Sequence, residues 1–248
     1  MIHIMGLKEI PIVKEGDNIP KLIVEAAKAQ GIEIKAKDIF VIAQTIVSRA
    51  EGSVVDLNTV VPSDFAIRTA ERFEKDPRQV EVILREAKQI IRMEHAIITE
   101  TKHGFICANS GVDKSNMPGE HFVSLLPRDP EKSAREIRKE LEKLTGVKLA
   151  VIISDTHGRP FREGAINVAI GVSGMKPVWD RRGDVDLFGY TLKSTLVGIA
   201  DELASAAELV MGEANEGIPV VIIRGFDYIE GEGSIKDLLR APEKDMFR

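Results

Sequence analysis

The sequence predicts a mixed α/β protein with α+β character, on three observations. Short β-branched apolar runs recur, Asp38-Ile-Phe-Val-Ile-Ala43, Leu149-Ala-Val-Ile-Ile153 and Pro219-Val-Val-Ile-Ile-Arg224, each with the length and composition of a buried strand. Other segments repeat apolar residues at helical spacing, as in Ala134, Ile137, Leu141 and Leu144. The 248 residues are 44% hydrophobic and 29% charged, enough for a sizeable buried core. No internal repeat, low-complexity stretch or linker interrupts the chain, so it reads as a single unit, residues 1–248, with a smaller subdomain inserted within about 70–190.

Taken in order, residues 2–13 alternate and read as a strand entering the turn Ile10-Pro11-Ile12-Val13. A helix is expected from Ile19 to Gln30, where Ile19, Leu22, Ile23, Ala26 and Ala27 share a face. Asp17 or Asn18 caps it and Gly31 stops it. The strand 38–43 runs directly into the polar segment Gln44–Gly52. Residues 63–75 and 78–91 read as helices, with Pro77 at the start of the second. His95–Thr101 and Gly104–Ala108 form a hairpin turning at Lys102-His103, followed by the polar loop Asn109–Pro118. Asp129-Pro130 opens a helix that reaches Leu144 and ends at Gly146. The strand Leu149–Ile153 stops at Ser154-Asp155-Thr156, a polar loop His157–Gly164 follows, and 165–173 is a further strand. Pro177–Gly189 is a charged loop, Thr191–Met211 a long helix, and Gly212–Gly217 the connection to the strand 219–224. The tail from Phe226 is polar and ends in a short helix.

Charge and cysteine content exclude several classes. The 34 basic and 39 acidic residues leave a net charge of −5, unsuited to general nucleic-acid binding, and aromatics at 5% are too few for stacking platforms. Cys107 is the single cysteine, which excludes an intrachain disulfide and a Cys-based zinc site. No apolar run approaches the roughly 20 residues of a bilayer span, and the N-terminus has no basic region followed by a long apolar one. A soluble, cytoplasmic protein without membrane or nucleic-acid partners is expected.

The chemistry concentrates where apolar runs end. Asp155 and Thr156 offer hard oxygen ligands for Mg²⁺ or Mn²⁺, while Arg159 and Arg162 are suited to phosphate. Asp and Thr are also ordinary turn residues, so the pair needs partners. Asp113, in a loop with Asn109, Ser110, Ser115 and Asn116, is the candidate second carboxylate. Glu213 is a third, in the glycine-bounded loop Gly212–Gly217, which otherwise reads as a helix stop. That loop is neither a Walker A sequence nor a dinucleotide fingerprint. Gln44, Thr45 and Arg49 follow a buried strand and suit a nucleotide, with Glu51 available to pair with Arg49. His3, His95, His103, His121 and His157 form no ligand pair; His157 alone adjoins the candidate site. Cys107 reads as core rather than nucleophile, and Trp179 beside Arg181 and Arg182 either stacks on a ring or packs. The residues by themselves fit a metal-dependent phosphohydrolase acting on a nucleotide as well as a ligase, and leave open a non-catalytic nucleotide-binding module.

Five segments together resemble the coenzyme F420-0:L-glutamate ligase family: EIPIVKEGD near the start, DIFVIAQTIVSRAEG at 38–52, CANSGVDKSN at 107–116, IISDTHGRPFREGAINVAIGVSG at 152–174 and LVMGEANEGIPVVIIRG at 209–225. The resemblance covers almost the whole chain. It implies a two-domain γ-glutamyl ligase-type fold in an intertwined homodimer. It also implies GTP-dependent addition of γ-linked L-glutamate to the deazaflavin precursor F420-0 through an acyl phosphate. Two divalent ions, Mg²⁺ or Mn²⁺, are implied, with K⁺ as a further ion. Carried over by residue, Asp113 and Asp155 hold the first metal and are the catalytic carboxylates; Thr156 and Glu213 hold the second. Ile10, Pro11, Ile12, Val13, Gln44, Thr45, Arg49 and Asn116 surround the GTP, with Met211, Gly212, Glu213, Ala214, Asn215, Glu216, Gly217 and Ile218. Two positions depart from the family pattern: Arg49 stands where a lysine is common, and Gln44 where smaller polar residues occur. Arg159 and Arg162 are expected to hold the anionic coenzyme.

Overall fold

In the computed structural model, which describes residues 1–245, the chain opens with strand β1 (His3–Leu7) and helix α1 (Ile19–Ala29). Asn18 caps α1 by accepting the Lys21 amide at 2.9 Å, and Pro20 sits in the first turn, where a missing N–H costs nothing. β2 (Ile39–Ala43) runs without a break into α2 (Gln44–Ala50). β3 (Val54–Asp56), α3 (Asp64–Phe73) and α4 (Pro77–Glu86) follow, the two helices capped by Ser63 and Asp76. The helix expected over 78–91 ends at Glu86; Ala87–Met93 is strand β4, paired with β5 (Ile97–Thr101). The cause is cross-strand pairing: buried Glu100 accepts from Lys88 Nζ at 2.7 Å and Gln89 Nε2 at 2.6 Å, holding this segment against its neighbour. β6 (Ile106–Ala108) completes the hairpin expected there.

β7 (Phe122–Ser124) pairs with β3, and α5 (Pro130–Thr145) runs from its Asp129 cap to Gly146, as its sequence signals require. The remaining elements are β8 (Ala150–His157), β9 (Ile166–Ser173), β10 (Trp179–Asp180), β11 (Leu196–Val197), α6 (Ile199–Met211) and β12 (Val220–Arg224). A short 3₁₀ turn, Pro242–Lys244, lies in the tail. The helix expected from Thr191 begins only at Ile199. Residues 185–197 are committed to a hairpin: Val185 bridges Thr191, β10 pairs with β11, and the Arg181 amide donates to Thr195 O at 3.0 Å. Trp179 packs under the Arg181 guanidinium, 4.8 Å from its ring centre.

The main sheet has the order β1-β12-β2-β8-β9, antiparallel except for the parallel pair β2–β8. α1 and α5 pack together, with α5 on β8 and β9; α6 packs on β9, β12 and β1 from the other face. This double cover explains why Ile39, Phe40, Val41 and Ile42 are all fully buried instead of alternating. α5 starts so close to the sheet that a Cβ on Gly171 would lie 2.4 Å from the Pro130 carbonyl oxygen, so this strand position accepts only glycine. Asp38, buried at the entrance to β2, is held by Arg224 through two bonds of 2.7 Å, which joins the starts and ends of neighbouring strands. A second apolar cluster, including Leu57, Ala70, Ile83, Ile97 and Val123, lies among α3, α4, β5 and β7. Among the described residues, no helix is long and apolar enough to cross a membrane.

Candidate active site

The parallel pair positions the site. β2 and β8 run out side by side, Ala43 opposite Ser154, and open sheets bind ligands beyond the carboxyl ends of such strands. β8 does not stop at Ile153 as expected. Opposite the step from Ile153 to Ser154 the partner strand β9 carries one extra residue, Ile170, a bulge after which Asp155, Thr156 and His157 stay paired with Val168, Asn167 and Ile166. A bulge on the partner strand raises the local twist without ending the pairing. The polar residues are therefore displayed on a rigid ribbon rather than on a free loop.

A cleft of about 640 Å³ opens at this edge. It is walled by Ile10–Val13, by the start of α2 with Gln44, Thr45 and Arg49, by the loop around Asp113 and Asn116, by Ser154–Thr156, and by the segment after α6. Of the cleft residues singled out from sequence, all line it except Asn215. The Gly212–Gly217 loop folds on itself, Glu216 accepting the Ala214 amide at 2.9 Å, and Asn215 is left exposed on its outside. Arg159, Arg162 and His157 also lie outside the cleft. Arg159 is turned onto its own hairpin, donating to Glu163 O at 2.8 Å and Gly164 O at 3.2 Å.

The oxygen-bearing side chains meet in two groups. Thr156 Oγ1 lies 2.8 Å from both Glu213 carboxylate oxygens, and Asn167 Nδ2 donates to Glu213 Oε1 at 3.3 Å. Asp113 is placed by backbone bonds to Ser124, 3.1 Å from its amide and 2.8 Å to its carbonyl, and accepts from Ser115 Oγ. Burial pushes the Asp155 carboxyl up to about 7, and the negative charges of Asp113 and Glu213 add to the shift. The cleft thus holds three carboxylates, Asp113, Asp155 and Glu213, and among the described residues none of them is ion-paired to a lysine or arginine. Hard oxygens around an excess of negative charge are the donor set of Mg²⁺ or Mn²⁺. Among the described residues, no three His, Cys, Asp or Glu side chains gather closely enough to hold one ion. The set fits pairs of protein ligands, with substrate oxygens and water completing each shell.

Arg49 brings the opposite charge. Its expected partner, Glu51, instead accepts from the Arg128 amide at 3.0 Å and from Ser133 Oγ. Arg49 Nε is buried without a hydrogen-bond partner, and desolvation disfavours its charge. A guanidinium kept in that condition at a cleft wall is matched by an anion such as phosphate.

Strain is concentrated nearby. Asn109, Ser110 and Gly111 have φ of 54°, 55° and 70°, three left-handed residues in succession. Ser110 Oγ secures the turn through Ile83 O and Thr99 Oγ1, both at 2.8 Å, and the turn delivers Asp113 to the cleft. Cys107 is not a nucleophile here: burial, with Asp155 nearby, pushes its thiol up to about 12. Sequence reading passed over Asn167 and Ser154. The available signal was a polar residue inside an otherwise apolar strand, which marks either a satisfied core group or a site.

The chain is similar to known proteins along nearly its whole length. The F420-0:gamma-glutamyl ligase family matches residues 8–225. The coenzyme F420:L-glutamate ligase of Methanothermobacter thermautotrophicus is 51% identical over 250 residues, spanning 100% of this chain and 99% of its own length. That of Methanocaldococcus jannaschii is 53% identical over 250 residues, spanning 100% and 97%. The more distant enzyme of Archaeoglobus fulgidus is 36% identical over 247 residues, spanning 100% and 96%.

Proposed function

The chain belongs to the F420-0:gamma-glutamyl ligase family, which makes it a ligase of coenzyme F420 biosynthesis, and from that premise we propose that it adds successive γ-linked L-glutamates to F420-0 with GTP as co-substrate. The observation that carries the nucleotide dependence is the pairing, across one cleft, of the unpartnered Arg49 guanidinium edge with the oxygens of Asp113, Asp155, Thr156 and Glu213. The cleft volume, about 640 Å³, lies in the range of nucleotide-sized ligands.

The chemistry has a clear physical requirement. A carboxylate does not condense with an amine in water, and it is repelled by a triphosphate. The terminal carboxylate of F420-0 attacks the γ-phosphorus, the bond to the β-phosphate oxygen breaks, and GDP leaves. The glutamate nitrogen then attacks the acyl carbon of the acyl phosphate, and inorganic phosphate departs. The ammonium form gives up two protons, one carried off by the phosphate and one released. Asp113 with Asp155, and Thr156 with Glu213, would each hold one divalent ion. When bound, Mg²⁺ or Mn²⁺ supplies charge neutralisation on the triphosphate. Arg49 holds a phosphate oxygen; Gln44, Thr45, Asn116, Ile10–Val13, Met211–Ala214 and Glu216–Ile218 enclose the nucleotide, with Asn215 outside that wall. Arg159 and Arg162, at the hairpin beyond the site, remain suited to the anionic coenzyme.

Incubated with GTP, Mn²⁺, K⁺, L-glutamate and F420-0, the protein is expected to give products heavier by glutamyl units in mass spectrometry. EDTA should abolish them, and Mg²⁺ or Mn²⁺ restore them. Product formed without nucleotide would overturn the GTP reading. GTP consumption independent of glutamate and F420-0 would point to a phosphohydrolase, and GTP binding without turnover to a non-catalytic module.

The reading extends to a homodimer. Leu187 and Phe188, at the tip of the hairpin after β10, are 98% and 96% exposed, with Tyr190 beside them, an apolar tip that burial against a second copy would relieve. Light scattering should give twice the chain mass, and Leu187→Glu with Phe188→Glu should give the monomer. A wild-type monomer at assay concentration would remove this element.

A further inference from the structure

The β8–β9 ribbon separates the cleft from a second, smaller pocket. Past the bulge, strand alternation divides the side chains: Thr156 and its partner Asn167 line the cleft, His157 and Val168 line the pocket, and Asp155 lines both. The pocket measures about 240 Å³ and is bounded elsewhere by Phe105, Cys107 and the tail residues Leu238 and Leu239. That volume is too small for a nucleotide or a deazaflavin and suits a free amino acid.

Its ionisable groups include Asp155, His157, Asp201, Asp245 and Arg240. The Asp201 carboxylate attracts an ammonium group, while Arg240 offers a counter-charge for a carboxylate. Asp201 Oδ1 accepts the Ala169 amide at 2.9 Å, which fixes the carboxylate in place from the first turn of α6. Burial raises the affinity of Asp201 for a proton, an effect that the neighbouring His157 offsets in part, so an ammonium group would relieve a desolvated carboxylate.

On the reading that the protein is a γ-glutamyl ligase, we propose that this pocket binds the acceptor amino acid, L-glutamate, with its ammonium group toward Asp201 and a carboxylate toward Arg240. Glutamate and the activated coenzyme then approach Asp155 from opposite sides of the ribbon. The amine meets the acyl group where the two chambers share a wall.

The test separates the two halves of the reaction. Hydroxylamine, a small nucleophile needing no amino-acid site, traps the acyl group formed from GTP and F420-0 as a hydroxamate. Arg240→Gln and Asp201→Asn should each raise the KM for L-glutamate about tenfold, as expected for loss of one charge-assisted contact. Hydroxamate yield and the KM for GTP should stay at wild-type values. Arg240 is exposed, so its variant keeps the fold, and circular dichroism checks both proteins. An unchanged glutamate KM in both variants, with normal hydroxamate formation, overturns the pocket assignment alone. Absence of hydroxamate from the wild type overturns the ligase chemistry on which it rests.

Discussion

Asp155→Asn is expected to preserve the fold and lower turnover on the order of a thousandfold, the scale of losing a principal charge-stabilising group. The amide has the shape of the carboxylate, and the strand that carries Asp155 is held on both sides by β2 and β9. In the free protein the substitution removes one of three mutually repelling carboxylates, so the melting temperature should not fall. With Mn²⁺ and GDP added, the wild type should be stabilised by binding to the native state, and the variant much less. The combination is diagnostic: activity lost, metal-dependent stabilisation lost, free-state stability kept. Residual turnover within tenfold of wild type would remove Asp155 from the catalytic machinery, and a lowered melting temperature without ligand would show a structural role instead.

Arg49→Gln is expected to raise the KM for GTP about thirtyfold, the equivalent of roughly 2 kcal/mol for a charge-assisted contact to phosphate. Free of ligand, the variant should be at least as stable as the wild type, because a desolvated guanidinium with a partnerless Nε is exchanged for a neutral group. Arg49→Lys restores the charge but not the planar fork, so it should recover most of the binding. The measurements are GTP kinetics and thermal melts with and without GDP. A GTP KM unchanged in Arg49→Gln would place the phosphates elsewhere in the cleft. A fall in free-state stability would indicate a structural partner for the guanidinium.

Much of this was legible in the linear chain because the signals are local. Asn18, Asp129 and Gly146 bound their helices through caps that require only a few neighbouring residues. The runs 38–43 and 219–224 announce buried strands by composition alone. The candidate residues were legible for a related reason: chemistry-bearing side chains stand immediately after apolar runs, and five such segments in order carry the family resemblance.

The misreadings share one cause. The β4 segment has helix-compatible residues and becomes a strand because Glu100, more than ten residues away, holds Lys88 and Gln89. Residues 191–198 lose their expected helix to a hairpin partner in the preceding segment. Arg49 lost its expected ion pair because α5 contributes Ser133 to Glu51. Local propensity amounts to tenths of a kcal/mol per residue and yields to such contacts.

The sequence by itself determined the mixed α/β class, the helix limits set by caps, and most of the residues that line the cleft. Tertiary structure alone decided that β2 and β8 lie parallel, that pairing past a bulge carries Asp155 and Thr156 onward in a strand, and that Asp113 and Glu213 come to face them. Strand pairing between residues a hundred positions apart is decided by the burial of both sheet faces and by hydrogen bonds completed across the chain, energies to which local sequence contributes only one partner.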